Sequence, residues 1–197
     1  MRFTIVGSGG CVALPRPICM CKVCEEARIK GIPYSRCGCS LFLEDLNLLV
    51  DTPEDICHGL NNCGVREIDR VLFSHVDPDH TLGMRVFEQL RLNWFDVSLG
   101  KECDNPIEVI ALENVIESIN SIRFEFGPYM DYYENVRKLI KRKDVNREII
   151  IDDIKISFIG VNHATVFVFE KKGKKLIYAP CDVKPFPETI YLMEQIA

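Results

Sequence analysis

The segment SHVDPDHTLGMR, residues 74–85, continues directly from the apolar run RVLFS at residues 70–74. The run predicts a short buried strand, and the apolar positions beyond residue 81 recur at helical spacing, which predicts a helix. Between them lie four potential metal ligands within six positions: His75, Asp77, Asp79 and His80. A turn held between a strand and a helix can aim several side chains at one point. Because imidazole and carboxylate groups suit zinc, manganese or iron(II), the segment predicts a metal site.

Asp77 also allows a purely structural interpretation. It precedes Pro78, so it could be the N-cap of the helix, with the proline at the first helical position where a missing N–H costs little. A dense group of His and Asp at such a junction is hard to explain by packing. We therefore prefer the metal site for the group as a whole, while both interpretations stay open for Asp77.

The rest of the chain predicts a mixture of strands and helices. Strands are expected at residues 2–6, 40–44, 46–51, 70–74 and 107–111, and in four β-rich runs between residues 148 and 179. Helices are expected at residues 20–30, 53–62, 113–121, 129–142 and 187–196, and after Pro78. This order fits an α/β fold in which sheet packs on sheet and helices lie outside, although periodicity alone does not choose between layered α/β folds.

The composition is that of a soluble globular protein. The chain has 197 residues, of which 47% are hydrophobic and 27% charged, and this length suits a single domain over residues 1–197. The formal net charge of −5 gives no electrostatic reason to expect nucleic acid or anionic lipid as a bulk partner. Charges interrupt every apolar run before it could span a bilayer, and the first apolar run is too short for a signal peptide. We therefore expect no membrane association and a cytoplasmic location.

The ten cysteines are unevenly distributed. Six of them lie in a Cys-rich loop at about residues 11–39, and five of these form a cluster: Cys19, Cys21, Cys24, Cys37 and Cys39. In a reducing cytosol, clustered cysteines indicate metal binding rather than disulfides. The others are scattered and are interpreted mainly as small buried apolar side chains: Cys11, Cys57, Cys63, Cys103 and Cys181.

The segment from His75 to His80 resembles the His-x-His-x-Asp-His motif of the metallo-β-lactamase superfamily, with Asp77 in place of the second histidine. Three residues at predicted strand ends match further elements of that superfamily: Asp51, His163 and Asp182. The resemblance implies an α/β fold of the metallo-β-lactamase type, an αββα four-layer sandwich with two divalent metals (Zn, Mn or Fe) at its active site.

The resemblance also implies a role for each of these residues. One metal would be held by His75, Asp77 and His163. The second would be held by Asp79 and His80, which are the expected catalytic residues, and Asp182 would bridge the two metals. Asp51 would support the metal-binding loop.

The segment PICMCKVC, residues 17–24, is similar to the start of the PhnP family of phosphodiesterases. In that family a Cys-x-Cys-x-x-Cys loop and a late histidine hold a structural zinc ion. The resemblance assigns Cys19, Cys21 and Cys24 to such a site, and three thiolates at this spacing favour zinc once a fourth ligand closes the tetrahedron. Cys37 or Cys39 could be that ligand.

Two features depart from the superfamily pattern. The oxygen ligand offered by Asp77 is harder than imidazole and shifts preference toward manganese or iron. A similar pattern, also with a Cys-x-Cys-x-x-Cys loop, occurs in the PqqB family, which is associated with oxidative chemistry. The second departure is that the chain is short at its C-terminal end compared with the superfamily, and the expected late histidines are missing from a sequence with four histidines.

The expected activity is hydrolysis of a small or cyclic phosphate ester, a small-molecule substrate, by hydroxide bound between the metals. Two alternatives stay open: an iron-dependent oxidative enzyme similar to PqqB, and a zinc-stabilised domain or fragment without catalysis. A homodimer is compatible with the sequence and is not specified by it.

Overall fold

The structure is a computed structural model, and it describes residues 1–182. Its strands, in chain order, are β1 (Phe3–Gly7), β2 (Ser40–Leu43), β3 (Leu48–Val50), β4 (Arg70–Leu72), β5 (Ile107–Leu112), β6 (Arg123–Phe124), β7 (Gly127–Pro128), β8 (Ile140–Val145), β9 (Glu148–Ile151), β10 (Ile154–Val161), β11 (Ala164–Lys171) and β12 (Lys174–Tyr178). Its α-helices are α1 (Lys22–Lys30), α2 (Ile56–Cys63), α3 (Pro78–Thr81), α4 (Val86–Arg91), α5 (Trp94–Ser98), α6 (Glu113–Asn120) and α7 (Tyr129–Asp131). Short 3₁₀ turns cover Glu44–Leu46 and Leu82–Arg85.

The first sheet contains six strands in the order β1-β2-β3-β4-β5-β8. Strands β1, β2 and β3 pair antiparallel, whereas β3, β4, β5 and β8 are parallel to one another. The carboxyl ends of parallel strands lie at the same edge of a sheet. Asp51 follows β3, and Ser74 and His75 come just after β4, so they meet at this edge.

The second sheet is an antiparallel meander in the order β12-β11-β10-β9. Its inner face packs on the first sheet through large apolar side chains, including Phe158, Phe167 and Phe169. The opposing side chains come from the middle of the first sheet, where Val50, Leu72 and Ile110 belong to the same core cluster. These apolar side chains hold the two sheets against each other by burial of surface.

Helices cover the other face of the first sheet. The second core cluster joins strand residues such as Val71 and Val109 to Leu60 of α2, Phe87 of α4 and Ile119 of α6. The layers among residues 1–182 are thus helices, six-stranded sheet and four-stranded sheet. Within those residues no helix is both long enough and apolar enough to cross a membrane.

Most of the predicted elements are confirmed, but the helix expected over residues 129–142 is wrong. The helical part ends after α7 and a π-type turn at Tyr132–Val136, and Ile140–Val145 is strand β8, paired in parallel with β5. Residues 141–144 carry charges because β8 is an edge strand, where charged side chains block further pairing. In the sequence alone, the same charges are also typical of the solvated C-terminal end of a helix. The helix expected at residues 187–196 lies outside the described residues.

Candidate metal centre

Asp51 lies under the histidines at the edge of the first sheet. Its side chain is fully buried, and its backbone has a φ of 60°, a left-handed conformation that costs a non-glycine residue energy. The backbone N–H of Ser74 donates to Oδ1 of Asp51 at 2.8 Å, and the Ser74 hydroxyl donates to Oδ2 at 2.6 Å. Nδ1 of His80 also bonds to Oδ2, at 2.8 Å. Asp51 thereby holds β3, the end of β4 and helix α3 in one hydrogen-bonded unit.

This network determines which nitrogen of each histidine ring carries a proton. Because the Ser74 hydroxyl gives its only proton to Asp51, it can only accept from Nδ1 of His75, 2.8 Å away. Nδ1 of His80 likewise donates to the carboxylate. In a neutral ring this leaves the lone pair on Nε2 of both His75 and His80. Partners that fix the tautomer in this way are typical of metal-binding histidines.

The Nε2 atom of His75 is a buried polar atom without a hydrogen-bond partner in the part of the chain that the structure describes. The residue is 1% exposed, and an unsatisfied buried nitrogen is costly unless another group binds it. Oδ2 of Asp77 lies 3.4 Å from this atom. Oδ2 of Asp79 lies 3.5 Å from Nε2 of His80. Each histidine thus presents its free nitrogen beside a carboxylate.

Asp77 does occupy the N-cap position of α3, with Pro78 next to it at the start of the helix. Its side chain makes no capping hydrogen bond, however. The side chain is directed to His75 instead, so the geometry favours the ligand interpretation of this residue over the capping interpretation.

The second sheet brings a third imidazole to the centre. His163 lies in the two-residue loop that joins β10 to β11, where Val161 pairs with Ala164. The backbone N–H of Thr165 donates to the carbonyl of Ser74 at 2.9 Å, which joins this loop to the end of β4. The rings of His75 and His163 are 5.4 Å apart, and those of His75 and His80 are 4.2 Å apart. Three of the four histidines therefore meet at one place.

Cys181 joins this group, although the sequence placed it among the packing cysteines. One ligand atom from each of His75, His163 and Cys181 lies within 4.8 Å of the other two. The Sγ atom of Cys181 is 3.5 Å from Nε2 of His163. The neighbouring Asp182, predicted to bridge two metals, is exposed and is not a member of this three-residue group. We call the set His75, Asp77, Asp79, His80, His163 and Cys181 the histidine centre.

Burial and charge shift the pKa values within the centre. Burial, and then the charge of His80, lower the pKa of His75, with the nearby carboxylates opposing this only in part. Burial also acts against the charged form of His80, but the hydrogen bond to Asp51 and the carboxylate charges outweigh it and raise the pKa of His80. Burial raises the pKa of Cys181, and Asp77, Asp79 and Asp182 raise it further by their charges.

The thiolate loop, defined here as residues 16–24 with Cys19, Cys21 and Cys24, lies at the start of α1. The three sulfur atoms lie within 4.8 Å of one another. The backbone N–H of Arg16 donates to Sγ of Cys24 at 3.4 Å. Cys21 is the N-cap of α1, and the N–H of Cys24, followed by the neighbouring thiols, lowers the pKa of Cys21 to about 7. N–H donors at a helix start stabilise a thiolate, as metal binding requires.

Cys37 and Cys39 are not brought into the thiolate loop. The Sγ atom of Cys39 is instead 3.1 Å from the hydroxyl of Tyr178, and burial raises the pKa of this thiol, with Asp51, Cys181 and Asp79 adding to the effect. Burial and the charge of Asp55 raise the pKa of Cys37 to about 11. Cys39 therefore contacts the end of β12.

Comparison with solved structures identifies the fold. Zn²⁺-bound PqqB from Methylobacterium extorquens superposes with a TM-score of 0.67 at 20% identity, over 91% of this chain and 62% of that one. A diphosphatase of the PhnP family gives 0.63 at 20% identity, over 85% and 61%. YhfI from Bacillus subtilis, described as a metallo-β-lactamase fold protein, gives 0.58 at 13% identity, over 89% and 61%.

The chain has the metallo-β-lactamase fold.

This confirms the expected α/β architecture. The chain spans less than two thirds of the length of each of these three proteins, at 62%, 61% and 61%. No protein-family model matches it, and no curated protein sequence does.

The residues at the two clusters fit metal ions. Zinc bonds of about 2.0 Å to nitrogen and about 2.3 Å to sulfur place two tetrahedral ligands about 3.5 Å apart. The 3.5 Å separation of Cys181 Sγ and His163 Nε2 agrees with this. The unsatisfied Nε2 of His75 is a second observation in favour of a metal. In the thiolate loop, the three thiols would supply three of the four ligands of a tetrahedral zinc site.

Sequence reasoning missed one residue of the histidine centre, Cys181, and one residue that supports the centre, Ser74. Ser74, which relays the hydrogen bond from His75 to Asp51, adjoins the motif and was treated only as the end of the strand. The resemblance assigns the ligand role in this segment to Asp182 and assigns none to Cys181. Its position after β12, directly before the matched Asp, was the available signal.

Proposed function

We propose that this chain is a metal-dependent hydrolase whose active site is the histidine centre with Asp182. The proposal rests above all on one observation, the network through which Asp51 and Ser74 orient His75 and His80 with their Nε2 atoms free. Such support leaves a ring ready to bind a cation without reorganisation. Structural metals do not require this arrangement beside a set of carboxylates, so it favours catalysis.

Each residue has a defined part in the proposed reaction. His75, Asp77 and His163 would hold one metal, Asp79 and His80 would hold the second, and Asp182 would be a ligand shared by the two. Bound metals lower the pKa of water from 15.7 to about 7, which supplies hydroxide at neutral pH. Asp79 would be a metal ligand and would also orient the attacking oxygen, since its carboxylate is one quarter exposed to solvent. Asp51 keeps the proton on Nδ1 of His80 directly, and it keeps the proton on Nδ1 of His75 through the Ser74 hydroxyl.

Phosphodiesters of small or cyclic nucleotide type are the proposed substrates. Support comes from the sequence resemblance to the PhnP family and from the similarity of the fold to a diphosphatase of that family. The clustered cations would neutralise charge that develops on phosphoryl oxygens. The free state of all ten cysteines in the structure is compatible with the proposed cytoplasmic location.

Hydrolysis of bis-p-nitrophenyl phosphate with added manganese or zinc tests the proposal. We expect metal-dependent turnover that Asp79→Ala and His80→Ala reduce to the background of the metal-free chain. His58→Ala is the matched control, because His58 is an exposed histidine on α2 outside the centre. If the wild type gives no turnover above the Asp79→Ala variant, the hydrolase proposal fails.

A second candidate function is iron-dependent oxidation. Asp77 in place of a histidine favours iron(II), and PqqB is among the proteins of similar fold. Oxygen uptake by anaerobically iron-loaded protein separates this candidate from hydrolysis. A chain that holds one metal, lost in Cys21→Ser and retained in His75→Ala, would instead indicate a zinc-stabilised domain without catalysis.

A further inference from the structure

We propose that Cys181 binds, as a thiolate, the metal held by His75 and His163, and that this sulfur makes the site selective for zinc over manganese. The inference rests on the proposed metal centre and adds a ligand to it. It also changes the expected metal preference, because Asp77 alone would favour manganese or iron.

The geometry of the three residues supports this assignment. Their ligand atoms lie within 4.8 Å of one another, and Cys181 Sγ is 3.5 Å from His163 Nε2. A metal at the centre of such a triangle would lie within bonding distance of all three after small side-chain movements. His75 faces the triangle with a buried Nε2 that has no hydrogen-bond partner among residues 1–182. The three residues thus offer three ligand atoms to a metal, and one of these atoms, Nε2 of His75, makes no hydrogen bond within residues 1–182.

The position of Cys181 in the chain also supports the assignment. The residue comes three positions after the end of β12, and it is partly buried against the small apolar cluster of Ala164 and Val166, next in the chain to His163. Tyr178, the last residue of β12, bonds to Cys39 and anchors the end of this strand beside the first sheet. This anchor limits how far Cys181 can move from His163.

A thiolate in this set has a chemical consequence. Binding releases the thiol proton to solvent, so affinity rises with pH until the thiol is fully ionised. Sulfur is a soft donor that suits zinc and disfavours manganese, which prefers oxygen. A harder donor at the same position would reverse this preference.

Cadmium-113 NMR of the full chain tests the proposal, because cadmium replaces zinc and its chemical shift moves downfield with each bound sulfur. We expect one resonance far downfield from the thiolate loop and a second, at intermediate shift, from the metal held by His75 and His163; the metal held by Asp79 and His80 would add another, further upfield. Cys181→Ser should move only the second resonance upfield, whereas Cys103→Ser, which changes a partly buried cysteine in the helical layer, should move neither.

The outcomes separate this proposal from the proposed function. If the wild type shows only the thiolate-loop resonance, the metal centre itself fails. If both resonances are present and Cys181→Ser leaves the second unchanged, the centre stands, the thiolate assignment is overturned, and Asp182 becomes the preferred ligand from this segment. His75→Ala should remove the second resonance, and persistence of the first shows that this variant is folded.

Two further measurements strengthen the test. Zinc should slow alkylation of Cys181 by iodoacetamide, followed by mass spectrometry, while leaving Cys103 unaffected; equal rates with and without zinc would overturn the proposal. The ratio of zinc to manganese affinity should fall at least about tenfold in Cys181→Ser. Loss of a residue that only hydrogen-bonds to a metal ligand already lowers metal affinity by about 10–100-fold, and Cys181 would be a ligand itself.

Discussion

The thiolate loop takes its three sulfur atoms from six consecutive residues, whereas the histidine centre collects its groups from residues 75–80, 163 and 181. Cys19 and Cys21 are at least partly exposed, while His75 and His80 are nearly fully buried. The loop needs only the start of one helix to bring its donors together. The centre needs two docked sheets and a buried aspartate beneath it.

This difference separates a locally encoded site from an assembled one. In the loop, residue spacing alone brings the donors together, so metal binding and local folding can occur in one step. In the centre, Ser74 and Asp51 bond to the rings of the candidate ligands His75 and His80 and fix their orientation. Pre-orientation of this kind is what catalysis needs and what a structural site can do without.

Replacement of the buried aspartate should have the largest effect. In Asp51→Ala, the rings of His75 and His80 lose their orienting partners, and the buried ion pair with His80 is broken. We expect a loss of about 3–5 kcal/mol in the free energy of unfolding. Loss of the support should also lower metal affinity at the centre by about 10–100-fold. Urea unfolding and zinc titration measure the two effects.

Asp45→Ala is the matched control for that variant. Asp45 pairs with Lys171 at the surface, 3.0 Å away, and such pairs contribute about 0–1 kcal/mol. Equal destabilisation of the two variants would contradict the supporting role of Asp51.

Removal of one thiol should have a smaller and more local effect. Cys21→Ser should lose the metal of the thiolate loop and keep that of the histidine centre, because the two share no residue. The free energy of unfolding should fall by about 2.7 kcal/mol, the contribution of a ligand present at a hundred times its Kd. Hydrogen exchange should become faster in residues 14–30 and stay unchanged in β4 and β5. Faster exchange in β4 would show that the two sites are coupled.

Gly83→Ala perturbs the packing of the motif without changing any ligand. A Cβ at this position would lie 2.1 Å from the carbonyl oxygen of Pro53 and 2.7 Å from that of Thr52, so the turn after α3 must move away from the end of β3. We expect a cost of about 1–3 kcal/mol, as for other overpacked positions. Metal affinity should fall at the centre and stay constant in the thiolate loop.

Gly10→Ala, where the added Cβ would meet nothing within 4 Å, is the comparison for that substitution. Thermal unfolding followed by circular dichroism measures both variants. A destabilisation in Gly10→Ala as large as in Gly83→Ala would rule out the steric explanation.

Asp77→His should have the smallest effect on stability. The Asp77 side chain is about half exposed, at 47%, and makes no capping bond, so the free energy of unfolding should change by less than about 0.5 kcal/mol. The exchange of oxygen for nitrogen should raise preference for zinc over manganese. Competition between the two metals measures this, and an unchanged ratio would exclude Asp77 as a ligand.

The locally encoded features were the most predictable from sequence. The motif around His75, the spacing of Cys19 to Cys24 and the alternating late strands each carry their signal within a few residues. Edge strand β8 was not predictable, because its charges reflect a place in the sheet that only the pairing with β5 reveals. The proximity of Cys181 to His163 depends on how β12 ends beside the β10–β11 loop, and no local pattern contains that information.

The placement of His75 on one sheet and His163 on the other has a thermodynamic consequence. A metal bound by both residues binds only when the sheets are docked, so metal binding and docking are linked equilibria. The bound metal stabilises the docked state of the two sheets. By the same linkage, any change that weakens docking lowers the apparent affinity for the metal. Substitutions between Phe158 and Phe167, remote from any ligand, would therefore change how much metal the protein holds, and metal content becomes a measure of interior packing.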